Sequence, residues 1–366
     1  MSGSPAAFFT VHDAAKTYAE VARCIAGAAN VARNDCFERS FLLAGSVVTL
    51  SAVGREAGQL LYAPFAHLPV AGPSAQTDLS VRVVDFHRYA QPVVCDMSLE
   101  NGGLAGDRTV ASGDGRFVVH LPNPSGSVWA LDRATGCIAG ALAPPTHLSV
   151  GERGRPWQPL LEFWFGEGRR QVLHAGLVSV EEQGILFVGS SGSGKSTSAL
   201  CCLLGGLCFL GDDRVVLEHT DEGFVGHSMY GVVCMDPLHL GRFPELLARA
   251  AADDRGGDPK QSIFVSGLFP GRLPASVPIK HVVLPKIRGT GGSALRPATR
   301  GEALRHLAPS CVVLGPRLGK SGFASLTKLV QSCQCHWLDL GADLSVIARS
   351  IQALVTPGGN GSGPSL

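Results

Sequence analysis

The chain has 366 residues, a formal net charge of +1 and only 17% charged residues. This length exceeds what one hydrophobic core usually holds and predicts two domains, while the balanced charge and the lack of a dense basic run argue against a nucleic-acid partner. No run of 18 apolar residues occurs and the N-terminus lacks a secretory-signal pattern, so we expect a cytoplasmic protein with no membrane partner.

The cysteines predict a reduced protein. Their number is 11, and no two of them are spaced as C-x-x-C. An odd set without such pairs is typical of free thiols, several of them buried as small apolar residues, and does not support a structural zinc site.

The first part of the chain is predicted to be a smaller, mostly β domain over residues 1–150. Residues 18–29 show a short helical pattern, and 160–165 form a helix or a strand. Apolar runs between Gly, Pro and Ser clusters predict strands at 41–43, 47–50, 79–84 and 117–121. The stretch 144–156 is the predicted linker, and the domain before it is suited to substrate or partner recognition.

An apolar run over residues 172–178 contains one histidine, His174. The polar stretch 181–184 predicts a hairpin turn into the next apolar run, 184–188, so we expect His174 on a strand paired with that run. A lone histidine in an apolar run is more often a core residue than a catalytic one, and by itself it indicates no function.

Residues 189–196 fit the phosphate-binding loop pattern G-x-x-x-x-G-K-[ST] without a departure. The loop and the residue after it are Gly189, Ser190, Ser191, Gly192, Ser193, Gly194, Lys195, Ser196 and Thr197. An apolar strand precedes the loop and a helical pattern over 196–204 follows it, which argues against a chance match in a chain with 46 glycines.

The chemistry of such a loop points to a magnesium nucleotide. Glycines let successive backbone N–H groups point inward, and the helix N-terminus adds partial positive charge where phosphate oxygens lie. Lys195 is then placed to reach the β- and γ-phosphates, and the Ser196 hydroxyl to coordinate Mg²⁺. The loop predicts the ligand, however, and not the reaction.

Two adjacent acids, Asp212 and Asp213, end the next apolar run, eighteen residues after Lys195. Carboxylates at a strand end beside a phosphate loop suit metal binding, and one of them can accept a proton from an attacking hydroxyl. The alternative is a solvated Asp-Asp turn.

The remaining pattern predicts a core strand at 279–284, a helix at 299–307 opened by an N-cap threonine, a closing helix at 344–354 and a disordered tail at 356–366. Three downstream cations are candidates for stabilising transferred phosphoryl charge, although a solvated surface role is the commoner one. They are Arg242, Lys260 and Arg272.

Taken together, His174, the loop around Lys195 and the acids ending in Asp213 resemble the bacterial HPr kinase/phosphorylase family over roughly residues 170–218. The resemblance implies an α/β fold with a P-loop kinase core related to phosphoenolpyruvate carboxykinase, in which a mixed central sheet is flanked by helices, over residues 151–355. It also implies that Lys195 and Ser196 hold phosphates and Mg²⁺, that Asp213 deprotonates a substrate serine, and that His174 supports that acid. Asp212 is a neighbour of less defined role.

The sequence also departs from that family. Thr197 stands where an acidic residue is common, and no match to the family's glycine-rich downstream signature occurs, so phosphorolysis does not follow from the resemblance. These departures are similar to the wider group of HPr-kinase-like proteins, including kinases encoded beside lasso peptide and other peptide-modification genes.

The leading hypothesis is an ATP- and Mg²⁺-dependent kinase acting on a serine hydroxyl of a peptide, protein or small molecule. The alternative is an ATP-binding regulatory or assembly module without catalysis, and a carboxykinase-type enzyme is the weakest of the three. The sequence leaves open the identity of the acceptor and whether the chain forms a homo-oligomer.

Overall fold

The computed structural model describes most of the chain. The described residues are 14–32, 34–89, 107–166, 169–246, 261–289, 291–309 and 320–355. Contacts divide the chain into a first unit, Met1–Phe165 with Cys234–Phe264, and a second unit, Gly166–Val233 with Val265–Leu366. The predicted tail 356–366 lies outside the described residues. No helix within the described part of the chain has the length and apolar character needed to cross a membrane.

The first unit contains a seven-stranded mixed sheet. Its strands are β1 (Cys36–Leu43), β2 (Ser46–Val53), β3 (Leu79–Asp85), β4 (Arg108–Ala111), β5 (Phe117–Leu121), β6 (Val128–Asp132) and β7 (Cys137–Leu142). They are arranged in the order β1-β2-β3-β7-β6-β5-β4, in which β3 is parallel to both neighbours and all other pairs are antiparallel. The four strands predicted in this part of the chain all occur.

The first unit also contains six α-helices within the described residues. They are α1 (Ala14–Val31), α2 (Arg55–Tyr62), α3 (Phe86–Tyr89), α4 (Val150–Gly154), α5 (Gln158–Phe165) and, later in the chain, α7 (Pro237–Leu240). Helix α1 confirms the predicted helical pattern, since Val21 and Ile25, four residues apart, are both buried against the sheet. The stretch predicted as a linker contains α4, because Ser149 and Glu152 form a capping box that starts a helix there.

The second unit is built on a nine-stranded mixed sheet. Its strands are β8 (Arg170–Leu173), β9 (Gly176–Val180), β10 (Gln183–Phe187), β11 (Cys208–Gly211), β12 (Val215–Thr220), β13 (Gly223–Ser228), β16 (Ser276–Ile287), β17 (Ala294–Pro297) and β18 (Gln334–Leu340). The order is β11-β9-β10-β16-β13-β12-β8, and β18 pairs with both β16 and β17. Between β13 and β16 in the chain, β14 (Val232–Met235) and β15 (Gln261–Phe264) form a separate two-stranded sheet.

Helices cover the second sheet, so the described chain is of the mixed α/β class, as predicted. They are α6 (Lys195–Leu204), α8 (Arg300–Leu307), α9 (Lys320–Ser332) and α10 (Ile347–Gln352). Strand β16 and helix α8 confirm the predicted strand at 279–284 and helix at 299–307, and the Thr299 hydroxyl caps α8 as expected. The core of this unit packs sheet residues such as Leu186 and Val282 with Leu326 and Leu329 of α9.

Candidate functional site

Three segments that the sequence singled out leave the second sheet at one edge. Strand β9 lies between β10 and β11 and is antiparallel to both, so β10 and β11 end where β9 begins. We call this the site edge: the phosphate loop follows β10 there, the tandem acids follow β11, and His174 precedes β9 by two residues. The topology therefore explains why segments far apart in the chain lie together.

Strand register brings His174 to Asp213. Strands β8 and β12 are antiparallel, and Leu173 at the end of β8 lies opposite Val215 at the start of β12. The residues just beyond that pair are His174 on one side and the Asp213–Arg214 segment on the other. As a result, His174 Nε2 lies 3.1 Å from Asp213 Oδ1, with both side chains partly exposed.

This arrangement corrects one detail of the sequence interpretation. The run 172–178 is not one strand, and His174 does not lie on the strand that pairs with β10; it lies in the link between β8 and β9. The chain bends there because β8 pairs with β12, whereas β9 pairs with β10 and β11. Because it lies in this link, the His174 imidazole is outside the paired strands and contacts the Asp213 carboxylate.

The phosphate loop has the backbone conformation that its glycines permit. Gly189, Gly192 and Gly194 have φ values of 148°, 77° and 104°, a region that side-chain-bearing residues rarely adopt. A Cβ atom on Gly194 would lie 2.3 Å from Leu340 Cδ1, so the loop packs closely on the end of β18. The loop then leads directly into α6, which begins at Lys195.

Lys195 is buried inside this loop, with 5% of its surface exposed. Its Nζ donates hydrogen bonds to the carbonyl oxygens of Gly189, at 2.9 Å, and Ser190, at 3.0 Å. Burial, reinforced by the nearby charge of Arg214 and opposed by that of Asp212, lowers the pKa of Lys195 to about 8. A phosphate in the loop would favour the charged form of this lysine.

The loop also meets a simple test of its fit to phosphate. Ser193 Oγ is buried and has no hydrogen-bond partner among the described residues, although a buried hydroxyl normally has one. A Cβ on Gly189 would lie 2.9 Å from this oxygen, so only glycine leaves room beside it. A ligand oxygen in the loop would supply the missing partner.

The residues around Ser196 suit a hard cation. The Ser196 hydroxyl donates to the Asp212 carbonyl oxygen at 3.4 Å, so the loop serine and the tandem acids are neighbours. Asp212 is buried, with 4% of its surface exposed. Hydroxyl and carboxylate oxygens are ligands that Mg²⁺ accepts. Within the described residues no group of three or more His, Cys, Asp or Glu could hold a metal, so a magnesium ion here would need nucleotide oxygens as further ligands.

Arg214 belongs to the site, and sequence reasoning missed it. Its Nη1 donates to Asp213 Oδ1 at 2.8 Å and to the Asp213 carbonyl oxygen at 3.0 Å, and its side chain is 10% exposed. Asp213 Oδ1 therefore contacts both His174 and a guanidinium. The available signal was an arginine directly after two acids, where a cation is held close to both carboxylates.

Of the three downstream cations, Arg272 lies in the same unit as these residues but away from them. The Arg272 guanidinium lies near Gly206, which follows the C-terminal end of α6, whereas the phosphate loop is at the N-terminal end. Arg242 belongs to the first unit, and Lys260 lies outside the described residues.

No protein-family model matches the chain, and no curated protein matches it. The Hpr(Ser) kinase/phosphatase from Coxiella burnetii is a structural match with 13% sequence identity and a TM-score of 0.30, covering 50% of this chain and 94% of that one. A likeness of this extent establishes neither family membership nor function.

Proposed function

We propose that this protein is an ATP- and Mg²⁺-dependent kinase that transfers the γ-phosphoryl group to a hydroxyl, with Asp213 as the general base. The observation that carries the proposal is the 3.1 Å contact between His174 Nε2 and Asp213 Oδ1, at the same sheet edge as the phosphate loop. A phosphate-binding loop alone would suit many nucleotide-binding proteins. A supported carboxylate beside it supplies what a transfer to a hydroxyl requires.

Each of these residues has a separate role in the proposed reaction. In the reaction the acceptor oxygen forms a bond to the γ-phosphorus as the bond to the β,γ-bridging oxygen breaks, and the acceptor proton passes to Asp213. His174 and Arg214 hold the carboxylate in place from two directions. Lys195 and the loop amides neutralise phosphate charge, and Mg²⁺, held by Ser196 with Asp212 or Asp213, would supply further neutralisation when bound.

The finer assignments are part of the proposal. We infer a core of the HPr kinase type, an acceptor that carries a serine hydroxyl on a peptide, protein or small molecule, and a recognition role for the N-terminal part of the chain. They rest on the spacing of His174, Lys195 and Asp213 in the sequence and on the side-by-side placement of the three segments in the fold.

Replacing the proposed base tests the function. Asp213→Asn keeps the shape and one acceptor oxygen but cannot take a proton, so we expect phosphoryl transfer to fall by about 10²- to 10⁴-fold, the usual contribution of a general base. Affinity for Mg-ATP should remain within about threefold, because the loop, Ser196 and Asp212 are unchanged and the new amide keeps an oxygen that a metal can accept as a ligand. Transfer is measured by intact mass on peptides and proteins encoded beside the gene, and affinity by calorimetry.

The matched control is Asp221→Asn, which removes a carboxylate of the same unit that is 90% exposed and paired with Arg169. It should leave both transfer and affinity unchanged. If Asp213→Asn retained full transfer, the proposed base would be wrong. If the wild-type chain bound Mg-ATP but transferred nothing to any acceptor, the alternative of a non-catalytic nucleotide-binding module would be favoured instead.

A further inference from the structure

A second charged cluster lies at the site edge, on the side of the phosphate loop away from Asp213. Strand β16 is parallel to β10, and β18 is parallel to β16, so all three strands end at this edge. Arg288 follows the last residue of β16, Asp339 lies near the end of β18, and Arg296 lies on β17, which pairs with β18. Sequence reasoning assigned none of these residues.

The cluster holds two guanidinium groups in a defined arrangement. Arg288 Nε donates to Asp339 Oδ1 at 2.9 Å, and Arg296 Nε donates to Asp339 Oδ2 at 3.0 Å. One carboxylate thus fixes both arginines through their Nε atoms, and their side chains remain 45% and 43% exposed. Burial disfavours ionisation of Asp339, but the hydrogen bonds from both arginines outweigh it and lower its pKa.

Arg296 also makes a cation–π contact with an aromatic ring. Its Cζ atom lies 4.9 Å from the centre of the Trp337 ring, and Trp337 is buried. A guanidinium held over a ring is also able to present a planar face to a further flat group. The arrangement is therefore suited to an aromatic ligand as well as to an anionic one.

The end of β16 is hydrogen-bonded to the end of β18, and the glycines that follow it border open space. Gly289 and Gly291 both have φ of 79°, and a Cβ atom on either would meet nothing within 4 Å. The backbone N–H of Arg288 donates to the carbonyl oxygen of Leu340 at 2.8 Å. Leu340 is the residue that packs against Gly194 of the phosphate loop.

The direction of phosphoryl transfer decides what this cluster would contact. Acceptor oxygen, γ-phosphorus and leaving oxygen are roughly in line, so the nucleoside lies on the side of the loop opposite the base. Asp213 follows β11, on one side of β10, and the arginine cluster lies beyond β16, on the other. Since neighbouring strands are about 4.8 Å apart, β18 lies roughly 10 Å from β10, within reach of the ribose and base of a nucleotide bound by its phosphates.

We propose that Arg288 and Arg296, held by Asp339, form the subsite for the nucleoside of the bound nucleotide, with a guanidinium face against the purine base. This inference rests on the proposed function, because the direction of the nucleotide is set by Asp213 as the base.

Calorimetry with two probes tests the subsite. The first probe is a non-hydrolysable ATP analogue with Mg²⁺, and the second is Mg-tripolyphosphate, which has the phosphates but no nucleoside. We expect Arg288→Ala and Arg296→Ala each to weaken binding of the ATP analogue by roughly 3- to 30-fold, the range for a cation stacked on a ring. Binding of tripolyphosphate should be unchanged in both variants, which also shows that the variants fold.

The control is Arg305→Ala, which removes an exposed arginine of α8 and should affect neither probe. If both probes weakened equally in the Arg288 and Arg296 variants, the arginines would be phosphate ligands and the subsite would be wrong. If neither probe changed, the cluster would be a structural ion pair, and the subsite would again be wrong. If the wild-type chain bound neither probe, the proposed function itself would fail.

Discussion

Nucleotide affinity should fall as the pH rises from 7 to 9, because Lys195 must be protonated to bind phosphate. Burial, reinforced by the charge of Arg214, lowers the pKa of this lysine to about 8, well below that of an exposed lysine. The group is therefore largely charged at pH 7 and largely neutral at pH 9 in the free protein. The sign is fixed: phosphate binding is strongest below this pKa and is lost above it.

The magnitude follows from the fraction of the competent form. If only protonated Lys195 binds, the apparent Kd equals the intrinsic Kd divided by the protonated fraction. With a pKa of about 8, that fraction falls from about nine-tenths at pH 7 to about one-tenth at pH 9, so Kd should rise about tenfold. Phosphate oxygens themselves lose their last proton near pH 6, so the ligand contributes little to this change.

The assay is calorimetric titration of Mg-tripolyphosphate at half-unit steps between pH 7 and 9. The matched variant is Lys195→Arg, whose guanidinium stays charged over the whole range, so its Kd should be flat even if its affinity is lower. Cys201 does not interfere, because burial raises the pKa of its thiol to about 12. A flat profile in the wild type, or the same tenfold rise in Lys195→Arg, would refute the role given to this lysine.

Three further predictions concern the stability of the fold. Gly194→Ala should lower the free energy of unfolding in urea by about 2 kcal/mol or more, since φ is 104° and the new Cβ meets Leu340. The control Gly192→Ala, whose new Cβ meets nothing within 4 Å, should lower it by only about 1 kcal/mol. Equal losses in the two variants would contradict the packing of Gly194 on Leu340. Phe65→Ala, at a fully buried ring, should cost about 3–5 kcal/mol in the same measurement, and a loss under 1 kcal/mol would contradict its place in the core. Thr299→Ala should cost about 1 kcal/mol through the lost helix cap, with recovery in Thr299→Ser.

Local chemistry made part of this molecule predictable from the sequence. The phosphate loop, the turn at Glu181–Glu182 between β9 and β10, and the Thr299 cap each depend on residues within a few positions of one another. Strand β5 occurs at the predicted residues 117–121 for the same reason, since an apolar run between turn signals defines it. The turn, the cap, strand β5 and the strand–loop–helix conformation around residues 189–196 occur as predicted, because no distant partner is needed to specify them. Binding of phosphate by the loop stays a prediction.

Features that depend on strand pairing were less accessible. The sequence placed His174 on a strand, because the apolar run continues through it, but the pairing of β8 with β12 ends that strand at Leu173. The same pairing determines which residue His174 faces. The cluster of Arg288 and Asp339 joins residues 51 positions apart, and no local pattern in the sequence links them. Register between distant strands is set by the whole sheet, so single-sequence patterns do not report it.

The charges at the site edge have separate tasks, and this follows from which oxygen each cation contacts. Arg214 donates to Asp213 Oδ1 and His174 contacts the same carboxylate oxygen, so both hold the proposed base in place. Lys195 instead points into the loop, where its Nζ donates to the backbone carbonyl oxygens of Gly189 and Ser190. Since Arg214 also lowers the pKa of Lys195, the cation that holds the proposed base in place weakens phosphate binding at high pH. Neutralising Arg214 should therefore raise the pKa of Lys195 and reduce the pH dependence of phosphate binding, while transfer is lost.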